Sequence, residues 1–365
     1  MAININHQTD TIEASGGTLN LPDFSGGGGL TNFTEAESTA SPNDTVSVDS
    51  LTAAAAATNA DVALVAKGTG ATLAQVPDGT AAGGNKRGSK ATDWQKSRGT
   101  AAHVASGSQS VISGGSSNTA SGSNSVVCGG ENNTASDNYS SVSGGSTNTA
   151  SGGYTSIGGG RQNTSSGTDS TIAGGRANSA TGNFATICGG YNQTANSEYS
   201  FLSAGNYGNT RSIVGYHAFP ACNAPITGST GRTQGGLLLL GRQTTDATAT
   251  VLRSNASAAS TTNQVILPNN SAYSFSGEVI AGVTAAGDTA RWTIDGAIKR
   301  GANAASTAMV GTPTVTMTHN DAGAAAWAVA VTADTTNGGI KVEVTGAAAT
   351  TIRWVCKINT TEMTY

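Results

Sequence analysis

Between residues 106 and 210, apolar and polar positions recur every fifteen residues through seven copies, with no insertion or deletion. The shared pattern is S-G-x-x-S-x-[IV]-x-G-G-x-x-N-T-A. Position seven is always aliphatic (Ile112, Val127, Val142, Ile157, Ile172, Ile187, Leu202), and position five is always small, from Ser110 to Ser200. Two turn signals, S-G and G-G, separate two short strand-like segments in each copy. Fifteen residues are too few for a helical hairpin, and a Gly pair in six of the seven units breaks helices. The pattern therefore predicts one coil of a narrow parallel β-solenoid per copy. With coils stacked about 4.8 Å apart, position seven forms an inward apolar ladder. Strand alternation then turns positions four, six and eight outward.

The outward positions are not simply polar. Position four holds Tyr139, Tyr154, Phe184 and Tyr199; position six holds Val111, Val126, Thr171, Thr186 and Phe201. Such a face is either a contact between chains or a sugar-binding strip. A single narrow coil has little core, and packing three chains side by side supplies the missing burial. Tyr139, Tyr154, Phe184, Tyr199, Val111 and Val126 are accordingly the candidate interface of a homotrimer. Variable polar residues gather at positions eleven and twelve, as in Glu131, Arg161, Arg176, Tyr191 and Asn192.

From Arg211 the fifteen-residue period stops and longer period-two patterns begin. Tyr273, Phe275, Gly277, Val279 and Ala281 share one face, as do Trp292, Ile294, Gly296 and Ile298. Trp327, Val329 and Val331 follow, then Ile340, Val342 and Val344, then Ile352, Trp354, Cys356 and Ile358. These segments, parted by turn signals such as Asn337-Gly338-Gly339, predict a C-terminal antiparallel β-sandwich with Trp292, Trp327 and Trp354 in its core. The expected organisation is an N-terminal attachment segment (1–45), a collar or connector (46–105) with one strand over 61–66, the repeats (106–210), and a C-terminal tip (211–365). Contact residues of a receptor site are not readable; the loops 255–263 and 319–325 are candidates only by position.

The repeat units resemble the head repeats of trimeric autotransporter adhesins of the YadA type, and more closely the repeats of bacteriophage tail and virion fibres. The stretches DVALVAKGTGA from Asp61 and AAGGNKRG from Ala81 resemble the segment that precedes such repeats. QTTDAT from Gln243 and NQVILPNNSA from Asn263 resemble a phage fibre C-terminal domain. The resemblance implies an all-β fold: a trimeric left-handed parallel β-roll, one coil per repeat, followed by the sandwich. It also implies a virion protein, made in the host cytoplasm, that attaches through its N-terminus to another virion protein. The tip would meet a host-surface glycan or protein. A glycan-cleaving tailspike and a purely structural capsid or collar fibre are the alternatives. Unlike the secreted adhesins, the chain shows no signal peptide and no C-terminal anchor barrel.

Composition bears on the chemistry. Of 365 residues, 50 are Gly, 11% are charged and the formal net charge is −4. Nucleic acid is not an expected partner, because neutralising phosphates needs clustered Lys and Arg, and the one basic stretch, 86–96, reads as linker. No apolar run is long enough to predict membrane insertion. Cys128 and Cys188 fall four coils apart, too far for a disulfide, so all four cysteines are expected to be reduced, semi-buried thiols. In the repeats only Glu131, Asp137, Asp169 and Glu198 are acidic, at unrelated positions, so no catalytic carboxylate pair is predicted there. His7, His103, His217 and His319 are isolated, and neither a metal site nor a cofactor is expected. The expectation from sequence is a fibre that is not an enzyme.

Overall fold

Each repeat supplies two very short strands. Positions six and seven pair in parallel with the same positions of the next copy, from Val111–Ile112 through to Phe201–Leu202. Positions fourteen and fifteen do the same, from Thr119–Ala120 to Thr194–Ala195. These pairings define a β-solenoid in the computed structural model, which describes residues 66, 68–222, 232–285 and 287–365. Within a separate compact unit, Met1–Val65, it describes the antiparallel pairs Ile3–Asn6 with Thr11–Ala14 and Phe33–Ser38 with Val48–Ala53. The strand expected over 61–66 falls, Ala66 apart, outside the described residues.

Ile112, Val127, Val142, Ile157, Ile172, Ile187 and Leu202 are fully buried, facing an equally buried column that runs Ala120, Ala135, Ala150, Ser165, Ala180, Ala195. Burying each aliphatic side chain contributes roughly 1.5–3 kcal/mol. A third inward column is polar: Asn118, Asn133, Asn148, Asn163, Asn178 and Gln193, at position thirteen. Asn133 Oδ1 accepts the backbone N–H of Asn148 at 3.0 Å. Asn133 Nδ2 donates to the carbonyl of Gly129 in its own coil (3.0 Å) and of Gly145 in the next (2.9 Å). Each amide thus joins adjacent coils and satisfies the carbonyls at the Gly–Gly corner, which a buried turn requires. The second glycine of that corner (Gly115, Gly130, Gly145, Gly160, Gly175, Gly190) lies at φ +82 to +92, and a Cβ there would run into the next coil's glycine carbonyl. No other residue type fits.

The ladder continues beyond the repeats on both sides. Thr92–Asp93 pairs in parallel below Val111–Ile112, and Thr72–Leu73 below that. Asp93 occupies the register of Ile112, and this buried carboxylate meets Arg87 at 2.8 Å and Arg98 at 3.3 Å. Gln95 closes the amide column, its Oε1 accepting the Asn118 N–H at 2.9 Å and its Nε2 donating to the Asn118 carbonyl at 2.9 Å. Residues 72–105, read as part of a connector, are therefore further coil with a polar core.

At the other end His217–Pro220 pairs in parallel with Phe201–Leu202 and antiparallel with Thr233–Thr244. There one continuous 16-stranded sheet passes from solenoid to C-terminal domain, ordered Thr233–Thr244, Ile352–Thr364, Ser271–Val283, Thr289–Arg300. A smaller antiparallel sheet holds Thr250–Val251, Val265–Ile266, Ala328–Asp334 and Gly339–Thr345. Its Val265, Ile340, Val342 and Val344 share one buried core with Tyr273, Trp292, Trp354 and Ile358. Trp354 lies 5.6 Å from Trp292 and 5.8 Å from Trp327, ring centre to ring centre. The period-two faces are buried as expected; the strand Thr233–Thr244 was not anticipated.

The thiols differ from expectation. All four are free, but Cys128, Cys188 and Cys222 are exposed and only Cys356 is buried, its pKa pushed up to about 12 by burial. Cys128 and Cys188 sit at position eight, the outward side of the strand, so inward packing was never open to them.

Candidate functional site: a polar groove on the C-terminal sheet

The aromatic column sits at a corner of the coil. Every position-four residue, from Gln109 to Tyr199, has φ between 55 and 58. Such a left-handed residue costs roughly 1–2 kcal/mol when it is not Gly, Asn or Asp. Tyr139, Tyr154, Phe184 and Tyr199 remain 46–60% exposed despite this. Tyr139 stacks on Tyr154, and Phe184 on Tyr199, with centroids 4.8 Å apart in both pairs. Stacking returns about 0.5–1.5 kcal/mol per pair, less than two left-handed aromatics cost. Val111 and Val126 lie half-buried in the neighbouring position-six column. The structure thus gathers the six candidate interface residues on adjoining columns.

The junction between solenoid and C-terminal domain carries a buried carboxylate. Glu362 accepts from Arg211 Nε at 2.8 Å, Gln234 Nε2 at 2.9 Å, Thr360 Oγ1 at 2.9 Å and the Tyr216 hydroxyl. Burial pushes its pKa up to about 7, against the opposing pull of Arg211. Burial also disfavours the charge on Arg211, but Tyr273 and Glu362 outweigh it and raise its pKa. Gly236 is required here, because a Cβ would collide with the Tyr216 hydroxyl. These groups are spent on one another, so the cluster joins two parts of the fold and offers nothing to a ligand.

The outer face of the long sheet is different. Cross-strand register places Ser276 between Asp295 and Asn359, and Ser274 between Ala297 and Thr361. Beside them, the chain between Ala308–Met309 and Thr314–Asn320 leaves the sheet at 310–313, and Val310 and Thr312 form a wall. The result is an open groove of about 540 Å³. Ser274, Ser276, Asp295, Asn359 and Thr361 make no side-chain hydrogen bond to any described residue. A second hollow of about 320 Å³ adjoins it, sharing Ser276, Asp295 and Asn359 and adding Glu278 and Lys357. Glu278 is bound by Arg291 at 2.7 Å, which holds its carboxyl below the usual range.

A floor of hydroxyl, amide and carboxylate groups with unused hydrogen-bonding capacity can exchange bonds with a hydroxylated ligand. Sequence reasoning missed this site. Its members come from three strands distant in the chain, and each reads alone as an ordinary solvent-facing residue of a period-two strand. The loop 255–263 is tied up internally, Asn263 Nδ2 donating to Asn255 Oδ1 at 2.9 Å and to the Ala258 carbonyl at 2.8 Å. Among the described residues no cluster of three metal-binding side chains occurs, and no helix is long and apolar enough to cross a membrane.

No family model and no curated protein matches this chain. Solved structures similar to it include three phage tailspikes. The tailspike gp49 of Acinetobacter baumannii bacteriophage Fri1, described as a capsular polysaccharide depolymerase, is 11% identical, with a TM-score of 0.22, over 76% of this chain and 50% of that one. The Acinetobacter baumannii phage AM24 tailspike is 9% identical, TM-score 0.20, over 74% of this chain and 52% of that one. The Acinetobacter phage vB_ApiP_P1 tailspike is 9% identical, TM-score 0.17, over 76% and 59%. This chain spans between half and three-fifths of their lengths, and so low a likeness assigns it no activity. The expectation that the chain is not an enzyme is nevertheless corrected, since a tailspike it resembles is described as a depolymerase. The non-enzymatic assignment is withdrawn.

Proposed function

We propose that this chain is a phage tail fibre or tailspike component whose C-terminal domain binds a host-surface glycan in the groove around Ser276. The observation that carries the reading is that groove: five polar side chains, none partnered within the described protein, facing one open hollow. In this reading the solenoid is a left-handed roll of the YadA-head type that serves as a stiff spacer. Three copies associate along it through Tyr139, Tyr154, Phe184, Tyr199, Val111 and Val126. Uncompensated left-handed strain at the four aromatics supports that association, because burial against neighbouring chains would offset it. The N-terminal segment, 1–45, attaches to another virion protein, and the C-terminal domain is read as a β-sandwich tip.

A second reading, glycan cleavage, is favoured by one observation. Glu278 and Asp295 line the same hollow, on adjacent strands and diagonal in register. Two carboxylates lining one hollow are the side-chain set that glycoside hydrolysis uses. Arg291 holds Glu278 in its ionised form, the form in which a carboxylate acts as a base. Incubating the purified protein with capsular polysaccharide from the phage's host separates the two. Saturable binding without new reducing ends supports the fibre reading; reducing-end release lost in Asp295→Asn supports cleavage. Absence of both contradicts the glycan assignment.

A further inference from the structure

We propose that Arg253 forms an anionic subsite at one end of this sheet face and takes the carboxylate of an acidic sugar unit. The inference rests on the glycan reading above and specifies its substrate class. Arg253 stands opposite Gly241 across an antiparallel bridge, where no side chain competes for the space. A hollow of about 420 Å³ opens there, lined by Leu239, Gly241, Arg253, Ser254 and Val355 among others. The guanidinium donates through Nη1 to the Ser257 carbonyl. Its Nε is buried and has no partner among the described residues, and neither has Ser254 Oγ beside it.

An unpartnered buried N–H is uncommon and marks the Arg253 side chain as incompletely satisfied by the protein. With Nη1 engaged and Nε buried, Nη2 is left to donate a charge-assisted hydrogen bond to a carboxylate entering the hollow. Leu239 is 56% exposed and Val355 49%, and together they supply an apolar platform beside the cation. Sugar rings present a C–H face as well as hydroxyls, so a uronic-acid unit meets both halves of the hollow.

The wider face agrees in charge. Among the described residues, Arg253, Arg291, Lys299, Arg353 and Lys357 are set on it against Glu278 and Asp295, although the whole chain has a formal net charge of −4. Such a local reversal of sign attracts an acidic polymer. The two regions also connect. Lys357 lies directly across from Leu239, and the same Lys357 lines the hollow containing Ser276 and Asn359. A glycan chain can therefore run from the polar groove to Arg253 along a single face.

The test uses full-length protein carrying labelled Leu and Val methyl groups, titrated separately with sodium glucuronate, glucose and sodium sulfate. Glucuronate is expected to shift the Leu239 and Val355 methyls at least tenfold more tightly than glucose does. Arg253→Gln should abolish that preference while leaving the Val142 and Leu202 methyls in place. Three results overturn the subsite alone: glucuronate no better than glucose, sulfate as good as glucuronate, or Arg253→Gln without effect. If glucose and glucuronate both leave Leu239, Val355 and the groove's Val310 unmoved, the glycan reading fails with it. A change in oligomeric state on Arg253→Gln overturns the proposal in favour of a contact between copies.

Discussion

Asn148 donates its backbone N–H to Asn133 Oδ1 at 3.0 Å, and Asn163 repeats the bond to Asn148 Oδ1 at 3.0 Å. Position thirteen is thus a polar spine inside a coil whose apolar core is a column of aliphatic side chains facing a column made mainly of Ala. Replacing a middle member, as in Asn148→Ala, leaves the Gly144 carbonyl and the Asn163 N–H without a partner and removes one of two donors from the Gly160 carbonyl, which keeps the Ser146 N–H. Leaving buried groups unsatisfied costs about 1–3 kcal/mol each where water cannot enter. The variant should show a clearly lower urea midpoint with an unchanged m-value; an unchanged midpoint would mean that the spine contributes nothing to stability.

The Gly–Gly corner permits a paired comparison within one coil. Gly175 has φ +90 and no space for a Cβ, whereas nothing lies within 4 Å of the Cβ position at Gly174, whose φ is ordinary. Gly175→Ala should prevent soluble expression or sharply lower the melting temperature. Gly174→Ala should leave thermal unfolding within a degree or two of the unsubstituted protein. Equal behaviour of the two would contradict the coil geometry.

Glu362 sets a pH dependence. Its folded pKa is raised to about 7 from an ordinary 4.5, so the folded chain binds a proton that the unfolded chain has already lost between those values. The resulting stability is full below about pH 4.5 and is lost as pH rises through about 7, by an amount on the order of 3 kcal/mol. Melting temperature should therefore fall between pH 5 and pH 8, and Glu362→Gln should flatten that slope. A slope of opposite sign would show that Arg211 holds the carboxylate ionised throughout.

If the corner aromatics cover one another between chains, removing them should weaken association before it weakens the coil. The double variant Tyr154→Ser, Phe184→Ser is expected to lower the trimer fraction in light scattering at micromolar concentration while far-ultraviolet circular dichroism is retained. A wild-type protein that is monomeric under the same conditions ends the trimer proposal.

The solenoid was legible because fifteen-residue periodicity repeats one burial decision seven times; Ile112 and its equivalents fall inward as read. Asn118 and its column were not, because Asn before Thr reads as a turn residue, and only the closed coil shows it facing inward. The continuation into 72–105 was hidden by irregular coil length and by Asp93 standing where an Ile would be expected. In the C-terminal domain, alternation marked the buried faces of Tyr273 and Trp354. It could not show that Ser276, Asp295 and Asn359 meet across three strands, since register is a property of the folded sheet. Arg253 carried no signal, because an unpartnered Nε becomes visible only when its neighbours are in place.

The most direct test of the account is to fill the groove. Ser276→Trp adds a large side chain to its floor without touching the buried face. Wild-type protein should bind host capsular polysaccharide saturably and compete with phage adsorption. Ser276→Trp, with the same melting temperature and oligomeric state, should lose both by more than tenfold. Undiminished binding by that variant would contradict the placement of the glycan site on this sheet.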